Sequence, residues 1–513
     1  MSRVLVLGAG VSGRAAEALL RAQGCDVLVL EGEVAFPCGD RNVAAPAVSR
    51  TLGCAPAEGA GVGAQPSARE TAEGRAFLSP QEEEFDFAVV SPGIALTHPW
   101  IVEAKRRGIP LKSELQLGCE ELKRRGWKLL AVTGSKGKSS VVKVVADAIN
   151  LAGMKAVACG NYGVPVCEVA RGCGDRNVAA PAVSRALGCA PTEGAGVGAR
   201  PSASETAEGR AFLSPQPGWA VVEVSSFMME TTELPADTFE AAAILNLQED
   251  HLDRHGSVEV YHGLKRKLLK MAKLQFDLSP YPDFEALYKA FLDDDVRDFL
   301  GGSYFDNDVL APNGVAALTL MLQGAKVDRE TARRAFDEFV PLPHRMNLVA
   351  EVGGVRYVDD SKATSISALV AGVKMCQKVG FRRASNWMRA LCAGLGRSRC
   401  EQNPRSASFV RLIAGGLPKG DDPQSALATL TSRVKKVYLI GQCAEVFSAA
   451  WKGAVDCEIC GTMERAVEAA KREAEKGETV LLSPGTASFD QFQSYGERGD
   501  VFARLVKKEG QPK

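Results

Sequence analysis

The segment Ala131–Ser140 reads AVTGSKGKSS and closes the largely apolar run Trp127–Val132. An apolar run that breaks into glycines and then Lys-Ser reads as a buried strand, a glycine-rich loop and a helix start. Such a loop turns backbone N–H groups onto phosphate oxygens. Lys138 then reaches the terminal phosphates, and Ser139 can hold a magnesium ion. The spacing is not the ordinary GxxxxGK[ST], because the position five before Gly137 is Val132 and the nearest upstream glycine is Gly134. A tighter loop is expected. By itself the motif leaves a simple strand-to-helix turn open.

Two further α/β blocks surround this one. The first opens VLVLGAGVSG over Val4–Gly13, a GxGxxG between a strand and a helix that runs through Leu20. A second strand, Val27–Leu30, ends at Glu31. The pattern fits a dinucleotide-binding unit with an acidic residue for the ribose, but any phosphate at that helix N-terminus would use the same geometry. The strand Phe87–Val90 then meets the tight turn Ser91–Ile94. In the central block the strand from Trp219 carries Glu223 to the phosphate side, where a carboxylate can complete magnesium coordination or simply face water. The strand Ala242–Leu247 runs into QEDHLDRH. His251 beside two carboxylates is a metal ligand, a phosphate contact or a surface group. The next helix carries Lys265, Arg266, Lys267 and Lys270, which on their own read as a solvated basic face. The third block starts near Leu342. Its strand Val355–Val358 ends in DDSKAT over Asp359–Thr364, a cluster of acid, base and hydroxyl at one strand end, where parallel sheets gather ligands. A strand from Leu412 ends at a Gly-Gly pair before Lys419, and Val480–Asp490 supplies another strand and a hydroxyl-rich turn.

Residues 38–81 and 173–216 are nearly the same 44-residue segment, differing only at Thr51/Ala186, Ala57/Thr192, Gln65/Arg200 and Arg69/Ser204. The copies are not adjacent, so no stacked solenoid is implied. Their Ala, Gly, Pro and Ser content buries little surface, and they are expected outside the cores as tolerated loop insertions. Residues 381–408, punctuated by arginines without periodicity, look like a third interruption.

The 513 residues suffice for roughly three domains. With 62 basic and 62 acidic residues, the charge balance argues against nucleic acid or an anionic membrane as the main partner. No apolar run approaches the roughly 20 residues that span a bilayer, and the N-terminal strand is too short for a signal peptide. The 14 cysteines are scattered, which suits reduced thiols in a cytoplasm. The CxxC of Cys457 and Cys460 lacks two further ligands at matching spacing, and two semi-buried thiols are favoured over zinc.

Together these residues resemble the Mur ligase family of peptidoglycan synthesis. The family-level pattern is Thr133–Ser139 (TGSKGKS), Gly160-Asn161, Glu223–Ser226 (EVSS), Asn246–His255 and His344-Arg345. A narrower pattern, Asp360–Thr364 with Ser483–Phe492 (SPGTASFDQF) and Glu497–Phe502 (ERGDVF), resembles the members that add D-glutamate to UDP-N-acetylmuramoyl-L-alanine. The resemblance implies three domains: a Rossmann-like UDP-sugar domain at 1–116, a central P-loop ATPase domain with a parallel sheet at 117–341, and a C-terminal Rossmann-like domain at 342–513. It implies an ATP-dependent amide ligase with an acyl-phosphate intermediate, acting in the cytoplasm on small-molecule substrates, and a monomer. It assigns ATP to Gly134, Ser135, Lys136, Gly137, Lys138, Ser139, Ser140, Asn313, Arg345 and Asp360. It assigns the UDP-sugar to Val11, Ser12, Glu31, Ser91, Gly93, Asn161 and Ser225, so that GxGxxG holds a diphosphate and no nicotinamide. D-glutamate falls to Thr364, Lys419, Ser488 and Tyr495. Magnesium falls to Ser139, Glu223, His251 and Lys265, the last carbamylated. Lys138, His251, Lys265 and Lys362 stand at the catalytic centre.

The chain also departs from the pattern. Phe227-Met228-Met229 replaces Phe-Gln-Leu, a His-Asn pair before Asn313 is missing, and the stretch Lys265–Asn313 is short, which implies a reduced or rerouted central sheet. A degenerate homologue that keeps UDP-sugar without catalysis, a ligase for another amino acid, and an NAD-dependent oxidoreductase are the alternatives. The last leaves the phosphate loop unexplained.

Overall fold

The computed structural model describes residues 2–32, 84–172, 217–281, 284–291, 299–307, 309–378 and 409–508. The two 44-residue segments and the interruption at 381–408 lie outside the described residues. The chain packs as two compact units: residues up to Glu121 with Pro165–Arg171 and Phe227–Glu233, and the remainder. No described helix is long and apolar enough to cross a membrane.

The first unit holds a four-stranded parallel sheet made of β1 (Arg3–Leu7), β2 (Asp26–Leu30), β3 (Phe87–Val90) and β4 (Leu111–Ser113), ordered β2-β1-β3-β4. Leu5, Leu7, Leu30, Ala88 and Val90 pack under Trp100, Ile101 and Ala104 of the helix Pro99–Arg106. Near-continuous apolar runs are what parallel strands covered by helices require.

The second unit contains two sheets. One has five strands, all parallel: β5 (Lys128–Thr133), β6 (Ala156–Gly160), β7 (Trp219–Glu223), β8 (Phe239–Ile244) and β9 (Ala272–Asp277), in the order β6-β7-β5-β8-β9. The helix Lys138–Leu151 buries Val141, Val142, Val144, Val145, Ala148 and Ile149 on nearly its whole circumference. The chain reverses its direction of travel across the sheet at β5, so the loops after β5, β7 and β8 converge at one edge, the usual ligand position in such sheets. The strand expected over Ala242–Leu247 sits earlier. It leaves the sheet after Ile244, which frees the Asn246 side chain to turn toward the phosphate loop.

The other sheet has six strands: β10 (Asn347–Val352), β11 (Val355–Asp359), β12 (Val410–Gly415), β13 (Val434–Ile440), β14 (Asp456–Gly461) and β15 (Thr479–Leu482), ordered β10-β11-β15-β12-β13-β14. Only the β10–β11 pair is antiparallel. Leu412, Leu439 and Leu481 face one layer with Trp451, while Ile413, Tyr438 and Val480 face another with Phe502. This period-two alternation also parts the CxxC. Cys457 packs into the first layer and Cys460 into the second, so the two thiols share no site, and burial pushes each up to about 11. Among the described residues no group of three or more His, Cys, Asp or Glu is arranged to hold a metal.

Candidate nucleotide-binding site

The phosphate loop owes its shape to two glycines. Gly134 has φ 151° and Gly137 φ 87°, conformations that side-chain-bearing residues rarely adopt. A Cβ at Gly137 would also overlap the Asn313 amide. Gly137 caps the helix that starts at Lys138 without offering it a side chain, so the first-turn N–H groups are left for an anion. The loop is clamped from β8. Lys136 N donates to Asn246 Oδ1 (2.9 Å), Asn246 Nδ2 donates to Lys136 O (3.0 Å) and Ser135 N donates to Asn246 O (3.0 Å). Lys138 Nζ donates to Gly134 O (2.8 Å) and Ser135 O (3.2 Å).

Two ionisable side chains are buried beside the loop. Glu223, at the end of β7, is 2% exposed. Its Oε1 accepts from Asn161 Nδ2 (2.9 Å), and its Oε2 is buried with no hydrogen-bond partner. An orphaned carboxylate oxygen next to a phosphate loop, with the Ser139 hydroxyl at the same helix start, fits a hard divalent cation. Lys265 is also 2% exposed, which corrects the reading of its helix as a wholly solvated basic face. It shares the buried side of the helix Val258–Leu269 with Tyr261 and Leu268. Its Nζ donates to Gly134 O (3.0 Å) and lies 4.6 Å from the Tyr261 ring centre. Burial first, and then the charge of Lys138, lower its ammonium to about 7. His251 has φ 53° on an exposed stretch, with Nε2 3.6 Å from Asp250 Oδ2.

Opposite the loop stands the turn after β11. His344 Nδ1 donates to Asp359 Oδ2 (2.7 Å), which holds the imidazole's pKa above its ordinary value, and Asp359 Oδ1 accepts from Ser361 N (2.9 Å). Ser483 Oγ donates to Asp360 Oδ2 (3.0 Å), while burial pushes Asp360 up to about 7. The buried Arg498 ties this turn to the Ser483–Ser488 segment. Its Nε donates to Ser361 Oγ (3.0 Å), Nη2 to Ser361 O (2.9 Å) and Thr486 O (3.2 Å), and Nη1 to Ala487 O (3.1 Å). Lys362 Nζ lies 3.7 Å from the Tyr495 ring centre, within cation–π range.

A cavity of about 1200 Å³ joins the two sides. Of the residues singled out from sequence, Ser135, Lys136, Gly137, Lys138, Ser139, Ser140, Asn161, Glu223, Asn313, Arg345, Asp360, Lys362, Thr364 and Tyr495 line it. Gly134 and Lys265 do not line it themselves, but Gly134 O accepts from both Lys265 and the lining residue Lys138. His251, the exposed Lys419, the half-buried Ser225 and the buried Ser488 do not line it. Val11, Ser12, Glu31, Ser91 and Gly93 belong to the first unit. There Gly8 has φ 96°, Ser91 Oγ donates to Gly8 O (2.8 Å), and the helix Val11–Ala22 starts without a side-chain cap. Sequence reasoning missed the roles of Asp359 and Arg498 as anchors, and it missed Tyr304, which lines the cavity with its hydroxyl pKa raised by burial. His344 and Arg498 stood inside motifs already noted, but their partners lie 15 and 137 residues away.

A phosphate loop on a parallel sheet, an orphaned carboxylate beside it and a second α/β block closing the cavity define an enzyme that handles a nucleoside triphosphate. The chain belongs to the Mur ligase family. The family's middle-domain model matches residues 132–276. The UDP-N-acetylmuramoylalanine–D-glutamate ligase of Nitratidesulfovibrio vulgaris (strain Hildenborough) is 31% identical over 515 residues, covering 98% of this chain and 95% of the relative. The enzyme of the same name from Chlamydia caviae is 29% identical over 513 residues, covering 98% and 97%. Among solved structures, UDP-N-acetylmuramate-alanine ligase MurC from Thermotoga maritima aligns with a TM-score of 0.48 at 11% identity, over 99% of this chain and 100% of that one.

Proposed function

We propose that this protein is an ATP-dependent ligase that joins D-glutamate to UDP-N-acetylmuramoyl-L-alanine in cytoplasmic peptidoglycan precursor synthesis. The observation that carries the reading is the cavity that puts Lys138, Glu223 and the Asp360–Thr364 turn on one volume. The names of the near-full-length relatives supply the amino acid. A carboxylate resists amines because its charge repels nucleophiles and oxide is a poor leaving group. Transfer of the γ-phosphoryl group from ATP to the alanine carboxylate removes both obstacles and releases ADP. The D-glutamate amine then attacks the acyl carbon, phosphate departs, an amide forms and the amine gives up a proton.

The chain's own groups suit these steps. The first-turn N–H groups at Lys138–Ser140, which precede the first intrahelical bond from Val141 N to Gly137 O, and the Lys138 ammonium would meet the phosphates and stabilise charge as it moves. Ser139 and the free Oε2 of Glu223 would hold magnesium, which supplies charge neutralisation when bound. Lys265, held near neutrality by burial, has the free amine that carbon dioxide needs to form a carbamate. Such a carbamate would add a second carboxylate beside Glu223. Asp360, Asn313, Arg345, Thr364 and Tyr495 all line this cavity, and the reading assigns the first three to the nucleoside and the last two to the amino acid.

The test is phosphate release from ATP with UDP-N-acetylmuramoyl-L-alanine, comparing D-glutamate with L-glutamate, L-lysine and no amino acid. Release with D-glutamate alone is expected. Release only with another amino acid would move the chain to a different ligase specificity. No release from folded protein that still binds the UDP-sugar would make it a binding module.

A further inference from the structure

Lys138 bends back onto its own loop, but Lys136, two residues earlier, does the opposite. The double clamp from Asn246 fixes its backbone on both sides. From there the side chain runs outward, and its Nζ donates to Ser367 Oγ, 231 residues away. Ser367 lies in the first turn of the helix Ile366–Lys378, which the Asp360–Thr364 turn feeds. The start of that helix has a second anchor, since Ile366 N donates to Asp421 Oδ2 (3.0 Å). Asp421 stands two residues beyond Lys419, and its charge, with that of Asp250, attracts the Lys136 ammonium against the cost of partial burial. One lysine of the phosphate loop thus bonds Ser367 of the other α/β block and lies within the field of Asp421, which holds the start of the same helix.

We propose that Lys136 is a positioning residue, a tether that holds the amino-acid-side turn of the C-terminal block in register with the phosphate loop. The assignment rests on the ligase reading for its consequence, though not for its geometry. In that reaction the acyl phosphate is made at the loop, while the amine arrives from the side of Thr364. A misplacement of about 1 Å between them is enough to slow the attack a hundredfold. Grip on the nucleotide belongs to Lys138 and the loop N–H groups, so loss of the tether leaves ATP affinity in place and damages the amino-acid step.

The experiment uses the full chain with K136M, K136R, S367A and the K136M/S367A double variant, each first shown to keep the wild-type thermal transition. Hydrogen exchange of residues 365–369 in the free protein is the first readout. It should speed up about tenfold in K136M and S367A, the scale of one charge-assisted hydrogen bond. The double variant should go no further, and K136R should recover most of the protection. The second readout is turnover. In K136M, KM for D-glutamate should rise about tenfold and kcat fall, while the dissociation constant for a non-hydrolysable ATP analogue stays within about twofold. Unchanged exchange in K136M, or multiplicative effects in the double variant, would overturn the tether. A rise in the nucleotide dissociation constant with D-glutamate KM unchanged would instead make Lys136 a phosphate ligand. If wild type shows no D-glutamate turnover, the ligase reading falls, and the exchange arm still decides the tether.

Discussion

Asp360 offers a direct test of how the cavity is built. Its carboxyl is buried against Ser483 and lifted from the ordinary 3.8 to about 7, chiefly by desolvation and further by the Asp359 charge. The Ser483 hydrogen bond, the Arg345 charge and the Met346 N–H pull the other way without cancelling it. The sign follows from proton linkage. Between about pH 4 and about pH 7 the folded protein keeps a proton that the unfolded chain has lost, so stability falls as pH rises through this window and levels off above it. The folded carboxyl holds its proton about three pH units higher, and each is worth about 1.4 kcal/mol, so the C-terminal block carries a penalty of up to about 4 kcal/mol at pH 8. Asp360→Asn keeps the shape and the acceptor for Ser483 but cannot ionise. Any cost of seating the new amide is independent of pH, so the change in the difference between mutant and wild type isolates the carboxylate. Urea unfolding of ligand-free protein at pH 4.5, 6 and 8, followed by tryptophan fluorescence, should show D360N gaining relative to wild type by several kcal/mol between the lowest and highest pH. A difference that is the same at all three values, or that moves against D360N as pH rises, would refute the reasoning. At pH 8, D360N should also bind nucleotide more weakly, because stability is gained at a group that faces the ligand.

Glu223→Gln removes the charge and leaves the shape; magnesium-dependent phosphate release should fall by about a hundredfold, with more magnesium needed for half-maximal rate, as read from a magnesium titration. Because Lys265 is pushed down to about 7, its free amine becomes dominant above that pH. Activity in bicarbonate-depleted buffer should therefore be low at pH 6 and restored by added bicarbonate more fully at pH 8, and equal rates with and without bicarbonate at both values would remove the carbamate from the proposal. Arg498→Met strips donors from Ser361, Thr486 and Ala487 and should cost about 3 kcal/mol or more in thermal or urea unfolding, with Arg498→Lys recovering only part because an ammonium lacks the planar fork.

Much of the fold was legible because its signals are local. The apolar runs that become β1, β5, β7, β12 and β15 are short and end in glycine or polar turns, and chain stereochemistry over a few residues is enough to stop a strand there. The phosphate loop was legible for the same reason, since only glycine accepts the backbone at 134 and 137. The end of β8 was misplaced because Leu245–Leu247 is apolar enough to continue. The chain instead turns Asn246 toward a loop 110 residues earlier.

The sequence by itself determined the three α/β blocks, the positions of the strand ends and the kinds of side chain gathered there. Only the tertiary structure decided what those side chains became. Four cations in one helical run look alike on paper, yet only Lys265 turns inward and loses most of its preference for charge. Cys457 and Cys460 are three residues apart but face opposite layers. Asp359 becomes the partner of His344, while its neighbour Asp360 becomes a buried acid. Propensity and periodicity act over one or two turns of chain, whereas desolvation and hydrogen-bond pairing depend on which distant segments pack against a group. The chemistry of this cavity is set by the second kind of interaction.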